Sequence, residues 1–385
     1  MDELKASETI AVTNGIAGDN ALRAVTPPLY LSSTFAFEGF ERPGRFDYSR
    51  TANPTRTLLA DTLAKLEGGA GAVVVASGLA AINLALSCVE SDQLIIAPHD
   101  CYAGTMRLLD ARSEREDFVV EYVDQTDDKA VRRALRRGPA LVLVETPSNP
   151  LMRIVDIANI SRLAHEVDAK VAVDNTFLSP ALQQPLGLGA DYVIHSTTKY
   201  LNGHSDVIGG AVVTKEASDA EAFAHWANVT GVIGAPFDAY MTLRGLRTLF
   251  TRVHQQERTA GAIALFLQNQ PQVAAVYYPG LLAHPGYDIA ARQQKGFGAM
   301  LSFDLIGGRE AVRHFVESLK IFTLAESLGG TESLIAHPKT MTHSYLSPDT
   351  MTDVGITDGL LRLSVGLEDQ NDLIKDLNQA LAALT

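Results

Sequence analysis

The sequence predicts an α/β protein built on a mostly parallel central sheet with helices on both faces, followed by a smaller C-terminal α+β unit. Three observations carry this. Short apolar runs alternate with amphipathic helical segments from about residue 61 to 240, polar residues collect just beyond several of those runs, and past a long helical stretch the pattern changes to mixed strands and helices. Runs of Val, Ile, Leu and Ala without in-out alternation are what strands covered on both faces show.

Taken in order, residues 1–60 show little periodicity and are rich in turn residues such as Pro27-Pro28 and Asn53-Pro54. Tyr30, Phe35, Phe37, Phe40 and Phe46 argue against disorder there. A long ordered arm that cannot bury itself is expected to wrap a neighbouring copy of the chain. Residues 61–245 form the expected α/β unit, with strands at 72–76, 93–97, 118–122, 140–144, 170–174, 191–195 and 207–213. The segment 127–137 is helical by the spacing of Ala130, Val131, Ala134 and Leu135. A helical stretch over 239–270 leads into the C-terminal unit, residues 246–385. Strands are expected there at 273–278, 299–303 and 360–365, with helices at 309–319 and 368–384.

The chain's 385 residues are ample for two or three domains, and 46% hydrophobic with 20% charged content is ordinary for a globular protein. A net charge of −13 with no block of like charges repels phosphate backbones and anionic lipid, so nucleic acid and membrane are not expected partners. The start lacks the apolar core of a leader and no apolar stretch reaches spanning length, so a cytoplasmic location is expected. Cys88 and Cys101 are too few for a structural zinc site and lack Cys-x-x-Cys spacing; they read as reduced thiols, with no metal site expected.

The chemistry collects where the predicted strands end, since ligands of parallel sheets bind beyond the carboxyl ends of the strands. The run 192–194 stops at Ser196, Thr197, Thr198 and Lys199. A lysine at the lip of a sheet sheds water, which lowers its pKa and suits it to Schiff-base chemistry, while the hydroxyls suit phosphate oxygens. A lysine beside a phosphate cradle is what pyridoxal phosphate needs; the alternative is a capped strand end with Lys199 solvated. Gly78 and Leu79 open a helix after a strand, as an anion site or merely a tight turn. Asp174 ends the strand before that of Lys199, so both can reach one ring, Asp174 holding a proton on a pyridine nitrogen unless it only forms a turn. Tyr102 follows the second strand and either stacks on that ring, exchanging protons with a leaving group, or simply packs. Arg362 interrupts an apolar strand and either pairs with a structural acid or binds a substrate carboxylate.

Longer motifs carry a resemblance. Tyr-Ser-Arg-Thr-Ala-Asn-Pro-Thr-Arg at 48–56, Glu-Thr-Pro-Ser-Asn-Pro at 145–150, Val-Asp-Asn-Thr-Phe at 173–177, Ser-Thr-Thr-Lys-Tyr at 196–200 and Ser-Leu-Gly-Gly at 327–330 resemble the transsulfuration family over nearly the whole chain. Those are pyridoxal 5'-phosphate enzymes of cysteine and methionine metabolism with the aspartate aminotransferase fold, fold type I. The resemblance implies that Lys199 holds the cofactor covalently and shuttles protons, that Asp174 pairs with the ring nitrogen, that Tyr102 stacks, and that Asn149 sits near the ring oxygen. It further implies a phosphate held by Gly78, Leu79, Ser196 and Thr198 together with Tyr48 and Arg50 of a neighbouring subunit. Each site then needs two chains, in a homotetramer. Arg362 would take the substrate α-carboxylate with Ser327 beside it, and Glu326, Arg107 and Tyr48 would complete the substrate pocket.

The similarity is greatest to members that replace the γ-substituent of an O-acylhomoserine, usually O-succinylhomoserine, with the sulfur of cysteine. The alternative is γ-elimination of cystathionine to cysteine, 2-oxobutyrate and ammonia. Thr51 stands where some γ-replacing members carry a second arginine that helps receive the succinyl carboxylate, which leaves the acyl group open.

Overall fold

The computed structural model describes residues 5–384; residues 1–4, part of the start read above for a leader, and 385 lie outside it. Seven strands form the larger sheet: β1 (Gly71–Val75), β2 (Leu94–Pro98), β3 (Val119–Val123), β4 (Leu141–Glu145), β5 (Lys170–Asp174), β6 (Tyr192–Ser196) and β7 (Gly210–Thr214), in the order β1-β7-β6-β5-β4-β2-β3. All neighbours run parallel except β7, which is antiparallel to both β1 and β6. A second sheet holds β8 (Val273–Tyr277), β9 (Met300–Leu305), β10 (Thr323–Leu324), β11 (Leu334–Ala336) and β12 (Leu360–Ser364), in the order β10-β11-β12-β9-β8.

The apolar strands earn their place by feeding two faces at once. On β4 and β5, Leu143 and Ala172 point into one cluster with Ile82, Leu109 and Ile194, while Val142, Val144, Val171 and Val173 point into another with Val131, Ile160 and Leu163. Alternate side chains thus meet helices on opposite faces, which is why these strands read as unbroken apolar runs. A third cluster runs from Leu59, Val193 and Leu201 through Ile263 and Phe303 to Leu363 and Leu377, joining the two sheets by apolar contact.

Three features depart from the sequence reading. The stretch over 239–270 is two helices, Pro236–Leu246 and Leu249–Gln268. The first ends where Gly245 passes so close to Asn202 that no Cβ would fit, and Arg252 donates to the freed carbonyl of Gly245 at 3.0 Å and to that of Tyr200 at 2.9 Å. The strands β10 and β11, of two and three residues, are too short to show a period. Helices Ser7–Thr13 and Pro54–Glu67 also lie partly or wholly in the stretch read as irregular. The first buries only Ala11, so no apolar stripe announces it. The second starts at Pro54 behind Asn53, whose side chain accepts from Thr55 and Arg56 N–H, a strong N-terminal cap.

Between them residues 14–53 run without a regular element and expose apolar side chains, Phe40 at 92% and Leu22 at 86%. Among the described residues no helix is long and apolar enough to cross a membrane.

Candidate active site

The carboxyl ends of β1, β4, β5 and β6 converge on a cleft of about 560 Å³, whose far wall comes from residues 326–328 and from Arg362 on β12. Twelve of the predicted site residues line it: Gly78, Leu79, Tyr102, Arg107, Asn149, Asp174, Ser196, Thr198, Lys199, Glu326, Ser327 and Arg362. Tyr48 and Arg50 do not. They lie on the outer arm, where Arg50 donates to the backbone and side-chain oxygens of Asn228 at 3.0 and 3.1 Å and stacks 5.6 Å from the Tyr48 ring.

Lys199 follows β6 in a turn, and its Nζ donates to Ser327 Oγ at 2.6 Å. Burial, reinforced by the charge of Arg362 and opposed by that of Glu326, brings this amine down to about 8. The reading of Lys199 as a solvated cap is therefore set aside. Arg362 is 3% exposed on β12. Its Nη1 donates to Asn149 Oδ1 at 2.9 Å and its Nη2 to the Ser327 carbonyl at 3.0 Å, while its buried Nε has no acceptor. Burial holds the guanidinium down at about 10, and no carboxylate forms an ion pair with it among the described residues. A buried cation without its anion marks a seat for one, and the structural-acid reading of Arg362 falls away. Behind it, His343 Nε2 contacts the Asn149 carbonyl at 3.1 Å, and burial with the nearby Arg362 charge pushes that imidazole down to about 4. His343 is thus neutral and donates to that carbonyl.

At the opposite end of the cleft, Ser77 Oγ accepts from Ala80 N–H at 3.1 Å, and the first-turn N–H groups of Gly78 and Leu79 precede the helix's own ladder. A Cβ on Gly78 would sit 2.7 Å from that of Ser196, so only glycine lets these two elements close on one small anion. Thr198 Oγ1 is anchored by Gly209, accepting from its N–H at 3.0 Å. Tyr102 precedes the helix Ala103–Ser113 with its ring lying over Gly104, where a Cβ would collide with it. Arg107, one turn on, places its guanidinium 5.9 Å from the Tyr345 ring at the cleft mouth.

Asp174 accepts from Thr176 N–H at 3.0 Å, and burial pushes its carboxyl above the ordinary range. Its register partner across the parallel ladder is Glu145, which the sequence reading left without a role. Burial, with the charge of Asp174 beside it, also raises Glu145 above the ordinary range. The signal that could have found it is the one that found Asp174: a carboxylate ending a fully apolar strand.

Fold and site together define an enzyme that holds a phosphorylated, ring-bearing aldehyde and acts on α-amino acids. The profile described as "Cys/Met metabolism PLP-dependent enzyme" matches residues 8–382, and the chain belongs to that family. It is 53% identical to cystathionine γ-synthase of Escherichia coli (strain K12) over 376 residues, 97% of either protein. It is 42% identical to cystathionine γ-lyase of Bacillus subtilis (strain 168) over 374 residues, 97% of this chain and 98% of that one. Among solved structures it resembles cystathionine γ-synthase from Xanthomonas oryzae pv. oryzae, in complex with aminoacrylate and cysteine, with TM-score 0.98 and 52% identity over 99% of this chain and 98% of that one. The chain thus has fold type I and is pyridoxal phosphate-dependent. The residues present fit that cofactor: a small-anion cradle, an amine of lowered pKa, and two carboxylates whose mutual repulsion a protonated ring nitrogen would relieve.

Proposed function

We propose that the chain forms cystathionine from O-succinylhomoserine, or another O-acylhomoserine, and cysteine by γ-replacement. The observation that carries this is the run of contacts from Lys199 Nζ through Ser327 to Arg362 and Asn149, an amine of lowered pKa fixed beside a buried guanidinium that no carboxylate pairs among the described residues. Identity of 53% to the E. coli γ-synthase supports the choice of reaction.

Pyridoxal phosphate, when bound, supplies an electron sink for negative charge at the substrate α-carbon. Arg362 takes the α-carboxylate through its fork and so places the α-hydrogen toward Lys199. Lys199 Nζ removes that proton and then moves one at the β-carbon, so that the γ-ester can be expelled and the sulfur of cysteine added. Donation of one N–H to Ser327 Oγ fixes where the amine stands. Tyr102 would stack on the ring and exchange a proton with the leaving group. Asp174 would keep the ring nitrogen protonated, and Asn149 would meet the ring oxygen with the amide end that Arg362 does not use.

Gly78, Leu79, Ser196 and Thr198 hold the phosphate, completed by Tyr48 and Arg50 from a second copy. Their absence from this chain's own cleft supports the shared site, as do the exposed side chains of the arm. Glu326, Arg107 and Tyr48 line the substrate end. Residues 1–60 are the arm, 61–245 the cofactor-binding unit and 246–385 the smaller unit of a cytoplasmic homotetramer.

Elimination from cystathionine is the second reading. Thr51 favours it, because threonine brings no cation for a succinyl carboxylate. Purified enzyme given O-succinylhomoserine with cysteine should yield cystathionine. Mainly 2-oxobutyrate and cysteine from cystathionine alone, with little product from the first mixture, would replace synthase by lyase.

A further inference from the structure

Glu145 ends β4 with its side chain in the cleft and only 8% exposed. Among the described residues no lysine, arginine or histidine forms an ion pair with it; its oxygens go to backbone instead. Oε2 accepts the Tyr102 N–H at 2.9 Å and Oε1 the Asn149 N–H at 3.1 Å. A desolvated carboxylate is kept in place by such donors. Tyr102 is also the residue capping the helix Ala103–Ser113, which has no side-chain cap, so Glu145 lies at that helix's positive end.

The two backbone positions belong to different parts of the site. Tyr102 carries the ring on the cofactor's face, whereas Asn149 holds Arg362 through its side chain and His343 through its carbonyl. One carboxylate therefore ties a loop 43 residues away to its own strand end. It does so directly beside Asp174, its partner across β4 and β5.

We infer that Glu145 is a positioning residue of this enzyme: its carboxyl group fixes both Tyr102 and Asn149, directly beside Asp174 at the seat of the ring nitrogen. The inference rests on the reading given under Proposed function. Glutamine matches glutamate in shape but offers one acceptor oxygen, and its NH2 would face a backbone N–H. Glu145→Gln therefore keeps at most one of the two bonds. Glu145→Asp keeps both acceptor oxygens but withdraws them by one methylene.

The test titrates the apo forms of wild type, Glu145→Gln and Glu145→Asp with pyridoxal phosphate, reading the dissociation constant and the circular dichroism of the visible band, then measures KM and kcat. Glu145→Gln should raise the dissociation constant about 10-fold or more, flatten the visible dichroism and raise KM for the amino-acid substrate, with Glu145→Asp recovering part of each. Wild-type constants and dichroism in Glu145→Gln would overturn the inference. So would an equal loss of thermal stability in both variants with cofactor affinity per folded molecule unchanged. Should neither variant fold, amide exchange in the wild type decides: Tyr102 and Asn149 N–H exchanging as freely as open loops would overturn it, and slow exchange supports it. A wild type that gains no visible band would overturn the enzyme reading itself, a failure distinct from those.

Discussion

Lys199 Nζ donates to Ser327 Oγ at 2.6 Å, across the boundary between the two sheets, and Ser327 meets it from a backbone with φ of 87°. A non-glycine residue held in that region costs on the order of 1–3 kcal/mol and persists where the surroundings impose it.

Two substitutions at Ser327 separate strain from chemistry. Ser327→Ala removes the hydroxyl and keeps the strain; Ser327→Gly removes both. Both should lower kcat roughly 10-fold or more by freeing the lysine amine, yet the glycine variant should be about 1 kcal/mol more stable than the alanine one. Denaturant unfolding and steady-state rates check the pair; unequal kcat values would show that the backbone conformation itself matters to turnover.

With Lys199 as the capturing amine, as proposed, its lowered pKa should make cofactor capture depend on pH. The protonated amine is no nucleophile, so the rate at which apoprotein takes up pyridoxal phosphate should rise with pH to a plateau above about 8. Arg362→Gln removes a cation that disfavours the ammonium form, and the midpoint should move up toward the ordinary value of 10.5; Glu326→Gln removes an opposing anion and should move it down. Stopped-flow growth of the visible band measures both signs.

Arg362→Lys keeps a positive charge but loses the planar fork that Asn149 and the Ser327 carbonyl orient. KM for the amino-acid substrate should rise roughly 10- to 100-fold, with a smaller effect on the dissociation constant of pyridoxal phosphate. Equal losses in the two constants would mean that Arg362 acts on the cofactor rather than on the substrate.

Sites completed by Arg50 of a second copy, as proposed above, would allow complementation. Arg50→Ala and Lys199→Ala chains are each expected to be nearly inactive alone. Randomly mixed dimers place both lesions in one site and leave the other intact, so an equal mixture unfolded and refolded together should regain about a quarter of wild-type activity. No recovery would place Arg50 and Lys199 in the same site of one chain.

Much of this site is legible from residues alone. A strand that ends in Asp174, and another that stops at Ser196 and its following lysine, announce chemistry because polar groups interrupt runs that only burial explains. The strand limits fall within about a residue of the expected ones for β2 through β6, since each is a mainly apolar run closed by polar or turn residues. The reversal of β7 is not legible: Gly210–Thr214 is as apolar as the parallel strands of the same sheet, and direction is set by pairing partners far along the chain. Nor does any local pattern show that Ser327 reaches Lys199, a contact 128 residues long in sequence. Glu145 escaped because its partners are backbone N–H groups, which carry no residue identity.

The groups proposed to face the ring stand at the strand ends of the larger sheet, whereas Arg362 stands on the smaller one and Ser327 between its strands β10 and β11. A slight slide of one slab over the other would alter how far the reacting amine lies from the carboxylate seat while leaving each local framework whole. On the proposed roles, substrate range would be open to change in the C-terminal third of the chain with the strand ends of the larger sheet left untouched.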